Sequence, residues 1–139
     1  MAKKKWIILS VLILIILCAI YYCFKPANVA DFDDILLHVE IQKPNSLVVS
    51  VENNTDTIIT YSESFHIEKK SVLGWHQITI APETIPCVER FLEPGKRSAT
   101  QIINYEPTYG ILSKGHYRII REFDMAGNAL AVAGYFDIP

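Results

Sequence analysis

The sequence predicts an all-β sandwich preceded by one N-terminal transmembrane helix. An uncharged apolar run opens the chain, and alternation of apolar and polar residues with period two follows it. Turn signals then recur about every 8–12 residues, as they do in sandwiches of short strands. No long helical periodicity occurs outside the first run, and 139 residues leave room for one domain plus a small segment.

The N-terminal run extends from Trp6 to Phe24 without a charge, and residues 3–5, all lysine, precede it. As a helix, its 19 residues would measure about 28 Å, close to the hydrocarbon thickness of a bilayer. The positive-inside rule then keeps the basic tail in the cytoplasm and places the rest of the chain outside. We therefore expect a cytoplasmic tail at 1–5, a signal anchor at 6–24, a solvated linker at 25–34 and the sandwich at 35–139.

Two alternatives to an uncleaved signal anchor remain open. A cleaved signal peptide needs a small-x-small site, for which Ala19-Ile20-Tyr21 is a poor match. A lipoprotein needs a lipidated cysteine that follows a small residue, whereas Cys18 follows leucine and Cys23 follows tyrosine. The uncleaved anchor is therefore favoured, with Cys18 and Cys23 kept as candidate lipidation sites.

The charge and the cysteine content of the outer part, that is, the residues after Lys25, limit the partners and the disulfides that this part can have. All 15 acidic residues follow Lys25, against nine lysines and arginines, so this part carries a net charge of −6. A surface of that sign gains nothing from counterion release, which excludes nucleic acid as the main partner. Cys87 is the only cysteine outside the apolar run, so no disulfide can form within the outer domain. A small buried apolar residue is the favoured interpretation of Cys87.

Eight or nine short strands account for the remaining chain. They are predicted at Ile35–Gln42, Leu47–Glu52, Thr57–Tyr61, Phe65–Lys70, Trp75–Ile80, Val88–Leu92, Ser98–Tyr105, 115–124 and Leu130–Ile138. Val88–Leu92 is expected at a sheet edge, the prolines of Ala81–Pro86 predict a loop, and Glu106–Ser113 is expected to be a second loop.

The segment Leu112-x-x-Gly115-x-Tyr117-x-Ile119 has the form of a tyrosine corner, in which a strand-opening tyrosine bonds to upstream backbone in immunoglobulin-like sandwiches. Gly115 and Tyr117 are therefore predicted to be structural residues. Asn53 favours a turn by bonding local backbone, and Pro94-Gly95 presets the turn before the strand at Ser98.

An ordered series of motifs resembles the bacterial Ig-like domains found in envelope proteins and lipoproteins of low-GC Gram-positive bacteria. The series consists of Val51–Tyr61, Phe65–Lys70, Gly74-Trp75, Leu92–Gly95 and Gly115–Ile119. Antibody-type domains carry a cysteine two residues after the corner tyrosine, and Ile119 stands there instead. The resemblance implies an Ig-like sandwich and brings no catalytic residue, cofactor or named ligand.

No catalytic set, cofactor site or metal site can be identified in the sequence. The four histidines lie on separate predicted strands without zinc-like spacing and are expected to face solvent. Glu68-Lys69-Lys70 is compatible with a basic spot and equally with a solvated hairpin face. Two functions follow. The first is a single-pass membrane protein whose extracytoplasmic domain binds another envelope protein or has a structural role. The second is a protease inhibitor that presents the Ala81–Pro86 loop.

Overall fold

The computed structural model describes residues 2–23, 25–30, 32–43, 45–78 and 88–139, which form an N-terminal helix and two facing β-sheets. The helices are α1, Ala2–Cys23, and α2, Glu106–Tyr109. The strands are β1 Ile35–Lys43, β2 Ser46–Asn53, β3 Ile59–Ser62, β4 His66–Ser71, β5 Gly74–Ile78, β6 Glu89–Leu92, β7 Lys96–Arg97, β8 Gln101–Asn104, β9 Gly115–Met125 and β10 Asn128–Ile138. The predicted β-sandwich is confirmed.

The strands are divided unequally between the two sheets. In the first sheet β1 pairs with β2, and β2 also pairs with β7 and β8. In the second sheet the order is β5-β4-β9-β3-β6, and β10 pairs with β9 as well. The 11-residue strand β9 is therefore bonded to β3, β4 and β10 and organises this sheet. Strand β6 lies at the end of the order, so the predicted edge strand is confirmed.

The core lies between the sheets and is built from side chains of both. Val49 and Val51 of β2 meet Ile119 and Phe123 of β9 in one buried cluster. Strands β1 and β10 approach so closely that a Cβ added to Gly134 would lie 2.6 Å from the carbonyl oxygen of Leu37. Glycine is therefore required at this point, where the two sheets meet.

Two elements differ from the sequence-based predictions. There are ten strands among the described residues rather than eight or nine, because Lys96–Arg97 leaves the Pro94-Gly95 turn as a short strand paired with the end of β2. The predicted loop at Glu106–Ser113 begins with α2. A proline in the first turn suits a helix start, and Gly110 ends the helix with a φ of 67°.

The segment between α1 and β1 is not the solvated spacer that its composition predicts. The Ala30 amide donates to the Ala131 carbonyl of β10 at 2.9 Å, and Phe32 packs against the core. At its far end, the Asp34 carbonyl accepts from the Asn54 amide at 2.7 Å. The segment is therefore bound along the sandwich, and the domain includes residues on the N-terminal side of the predicted boundary.

Helix α1 exposes every side chain described between Trp6 and Tyr21, and these side chains are almost all apolar. Within the described part of the chain, no helix reaches the combination of length and apolar character needed to cross a membrane.

Candidate binding site

A buried ion pair lies on the outer face of the second sheet, opposite the core. The Oε2 atom of Glu68 accepts hydrogen bonds from Nε and Nη2 of Arg118 at 2.8 and 2.6 Å, respectively. The Oε1 atom accepts from the Ala27 amide at 2.7 Å. Glu68 is fully buried and Arg118 is 6% exposed, so both charges depend on each other for solvation. The ion pair thus bonds the segment after α1 to the sheet.

Aromatic side chains cover this pair, so the prediction of a solvated face at Glu68-Lys69-Lys70 is wrong for Glu68. The Arg118 guanidinium lies 4.6 Å from the centroid of the Trp75 ring, and Trp75 contacts Tyr135 at 5.8 Å between centroids. The Nε2 atom of His66 lies 3.9 Å from the Oε1 atom of Glu68. Burial lowers the pKa of His66, although the negative charge of Glu68 opposes that shift. His66 is therefore half-buried, with 29% of its side chain exposed, rather than turned fully to solvent.

A cleft of about 380 Å³ opens between the two sheets on the side of β6 and β8. Val49 and Gln101 line it from the first sheet, and Tyr61, Phe91 and Arg121 line it from the second. The alternation along β9 places Arg121 on the same face as the core residues Ile119 and Phe123. An arginine thus occupies a position inside the sandwich where an apolar residue is expected.

Arg121 has polar partners but no carboxylate partner among the described residues. The Nη2 atom of Arg121 donates to the Gln101 Oε1 atom at 2.8 Å and to the Glu63 backbone carbonyl at 3.2 Å. The Tyr61 ring centroid lies 5.7 Å from the guanidinium carbon of Arg121, and the buried Nε atom of Arg121 has no hydrogen-bond partner within the described ranges. The Glu63 carboxylate instead binds Arg90, whose Nη2 and Nε atoms lie 2.6 and 2.7 Å, respectively, from the Oε1 atom of Glu63.

The Arg121 guanidinium is therefore a positive charge that is 2% exposed, lies at the wall of an open cleft and is only partly compensated by hydrogen-bond acceptors. Burial lowers the pKa of Arg121, and the neighbouring Tyr61 and Glu63 oppose this shift. A buried guanidinium is stabilised by an anionic group that can accept from it in a low-dielectric site. The cleft is therefore suited to an acidic group. The sequence offered one clue, a charged residue at an inward-facing position of β9.

The predicted structural residues lie in two separate places, neither of which is the cleft. The Tyr117 hydroxyl donates to the Ser113 carbonyl at 2.5 Å, and the Tyr117 ring is buried. At the other end of the sandwich, the buried Asn53 amide nitrogen donates to the carbonyls of Thr57 and Leu92, both at 2.9 Å. These residues stabilise the two ends of the fold.

The turn at Pro94-Gly95 lies beside Asn53 rather than beside Gly115. The Gly95 amide donates to the Asn53 carbonyl at 2.7 Å, and a φ of 67° favours glycine at this position. Gly115 opens β9, where the Lys69 side chain passes 3.0 Å from the position that a Cβ would take. Gly95 is thus favoured by its backbone conformation, and Gly115 leaves room for the Lys69 side chain.

The cysteines and the possible metal ligands form no reactive or metal site within the described residues. Cys18 is exposed on α1 with a free thiol, and Cys23 is the last residue of that helix. Cys87 and the Ala81–Pro86 loop lie outside the described residues. No three His, Cys, Asp or Glu residues of the described ranges lie close enough together to hold a metal ion.

Comparison with known proteins agrees with this architecture. A family model described as "Bacterial Ig-like domain" matches residues 34–136, which is most of the chain. A search of curated proteins finds no match. The family match confirms the resemblance drawn from the ordered motifs, whereas a source in low-GC Gram-positive bacteria stays a prediction.

Proposed function

We propose, for a chain that belongs to the bacterial Ig-like domain family, that it is a non-enzymatic binding module held at the cell membrane with its sandwich outside the cytoplasm. Membership of this family supports a binding or structural role rather than catalysis. The proposal has two further parts, namely an anchor at the N-terminus and a binding cleft in the sandwich.

The anchor is supported by the character of α1. The described side chains from Trp6 to Tyr21 are exposed and almost all apolar, which is unfavourable in water because exposed apolar surface orders solvent. The Ser10 hydroxyl within the run donates to the Ile7 carbonyl at 2.9 Å, so it needs no water. The uncharged run continues to Phe24, and the three lysines at 3–5 favour a cytoplasmic N-terminus. A single pass through the bilayer satisfies these features together.

The binding role rests on one observation, the incompletely compensated Arg121 at the wall of an open cleft. A partner that inserts an acidic side chain would supply the missing carboxylate and displace water from around Tyr61 and Phe91. Phe91 is 71% exposed at the rim and can provide apolar contact area to the same partner. We therefore expect the partner to be another envelope protein with an exposed acidic residue.

Site-specific photocrosslinking tests this role on intact cells. A photoreactive phenylalanine analogue at Phe91 should yield one dominant crosslinked protein. The same analogue at Ile102, an exposed apolar position on β8, serves as the matched control and should not yield it. Arg121→Gln should abolish the crosslink while the variant remains folded. A crosslink that persists in Arg121→Gln, or that also forms from Ile102, would refute the cleft as the binding site.

An inhibition assay and mass analysis of the mature N-terminus distinguish the alternatives that the sequence leaves open. A crosslinked protease whose activity is relieved by Ile85→Asp would favour the inhibitor. A mature N-terminus at Cys18 or Cys23 that carries lipid would replace the helical anchor with a lipid anchor, without changing the binding role.

A further inference from the structure

The turn between β4 and β5 exposes two aliphatic side chains that contact almost nothing. Val72 and Leu73, here called the hairpin tip, are 102% and 96% exposed, respectively. The turn itself is ordered by Ser71, whose hydroxyl donates to the Gly74 carbonyl at 3.1 Å and accepts from the Leu73 amide at 3.2 Å. The backbone therefore holds both side chains outward instead of letting them fold back on the sheet.

The hairpin tip lies beside the last turns of α1. An apolar cleft of about 540 Å³ separates them, lined by Leu17, Ile20 and Tyr21 of the helix and by Leu73 and Trp75 of the hairpin. The linker fixes this arrangement, because the Ala27 amide is bonded to the buried Glu68 carboxylate within β4. The end of α1 therefore cannot move far from the hairpin while the linker remains bound.

This placement sets the depth of the hairpin tip relative to a bilayer that contains α1. If the uncharged run ends at the membrane surface near Phe24, Leu17 lies about 10 Å below that point at 1.5 Å of rise per residue. A side chain level with Leu17 to Tyr21 then reaches the boundary between headgroups and acyl chains. Trp75 lines the same cleft, and tryptophan favours the membrane interface.

The charges near the hairpin tip have the sign that anionic lipids attract. Exposed lysines at 25, 70 and 114 lie at this end of the sandwich, and Lys70 Nζ lies 5.8 Å from the centroid of the Trp75 ring. Lys69 donates to the Ser113 hydroxyl at 2.6 Å, which joins the loop carrying Lys114 to β4. Exposed Asp137 also lies at this end, where it pairs with His116. At the opposite end the exposed acidic residues outnumber the exposed basic residues Lys96 and Arg97; the acidic residues are Asp33, Asp34, Asp56, Glu93 and Asp124. This asymmetry favours one end for an anionic surface.

We propose that the hairpin tip inserts into the surface of the anionic bilayer that holds α1, with Val72 and Leu73 at the acyl boundary and the neighbouring lysines on lipid phosphates. The inference rests on the proposed membrane anchoring. It gives the sandwich a second attachment point, which fixes the orientation of the domain on the membrane and directs the Asn53 end away from the bilayer.

Fluorescence of the full chain in vesicles containing phosphatidylglycerol tests the insertion. All three cysteines are changed to serine, and an environment-sensitive dye is attached to Leu73→Cys. The matched control is Ile58→Cys, because Ile58 is an exposed apolar residue at the opposite end, next to the Ile59–Met125 pair. The dye at 73 should show blue-shifted and severalfold brighter emission, quenched by lipids that carry a quencher high on the acyl chain. The dye at 58 should keep its aqueous spectrum.

A second measurement uses Trp75 without any label. In a Trp6→Phe background, brominated lipids should quench Trp75, and Val72→Ser with Leu73→Ser should remove most of that quenching. If the protein floats with the vesicles while positions 73 and 58 give the same aqueous spectra, the insertion is refuted and the anchor survives. If the protein does not float with the vesicles, anchoring fails and the insertion fails with it.

Discussion

Replacing Glu68 with glutamine tests the energetic role of the buried ion pair. Glu68 uses one carboxylate oxygen for Arg118 and the other for the Ala27 amide. Glutamine has nearly the same shape but only one acceptor oxygen, so it cannot serve both partners. Whichever way the amide is oriented, a donor of Arg118 or Ala27 meets an NH2 group.

The expected loss follows from the burial of both charges. Removing one member of a buried ion pair costs about 3–5 kcal/mol, because the remaining charge has neither water nor a counterion. Total unfolding free energies of domains lie at about 5–15 kcal/mol, so Glu68→Gln should remove a large fraction of the stability. Replacing both Glu68 and Arg118 with methionine should cost much less than the two single changes combined.

Urea unfolding of the full chain in detergent, in the Trp6→Phe background and followed by Trp75 fluorescence, measures this loss. Glu122→Gln is the matched control, because Glu122 is an exposed carboxylate on the same outer face of β9. We expect the control to remain within about 0.5 kcal/mol of the parent. Equal midpoints for Glu68→Gln and Glu122→Gln, or additive effects of the Glu68 and Arg118 changes, would show that the pair is not coupled as the structure implies.

Three further substitutions test other parts of the fold. Tyr117→Phe removes the donor to the Ser113 carbonyl and should cost about 1–3 kcal/mol in urea unfolding; no change would mean that the corner bond is not formed in solution. Asn53→Ala removes the buried amide donor to the Leu92 carbonyl and one of the two side-chain donors to the Thr57 carbonyl, and should lower the unfolding midpoint more than Asn54→Ala, a comparison that thermal melts can make. Burial lowers the pKa of His66, so the unfolded chain binds its proton more readily, and stability should fall as the pH drops below about 6.5. His66→Gln should flatten that dependence, and an unchanged slope would contradict it.

Local alternation was sufficient to predict most of the strands. In β1 only one face contributes to the core, so Leu37 and Val39 contribute to the core on either side of the polar His38. The turn between β9 and β10 is equally local, because Asn128 pairs with Met125 across a two-residue connection. Such features depend on residues close in sequence, where turn chemistry and side-chain periodicity act directly.

The remaining features depend on contacts between distant residues. Ile67 and Glu68 are both buried although they point to opposite faces of β4, because the linker and Trp75 cover the outer face. Alternation predicts which residues share a face, but it does not predict what packs on the second face. The inward position of Arg121 is visible in the pattern of β9, but the cleft beside it forms only when both sheets are in place.

The topology of the chain in intact cells tests the proposed anchored module most directly. In a cysteine-free background, a membrane-impermeant maleimide should label Asp56→Cys on intact cells, whereas Ala2→Cys should be labelled only after the cells are opened. The protein should stay in the membrane fraction through an alkaline wash and should retain its N-terminal residues. Release of the protein by that wash, or protection of position 56 until the cells are opened, would contradict a membrane-anchored domain outside the cytoplasm.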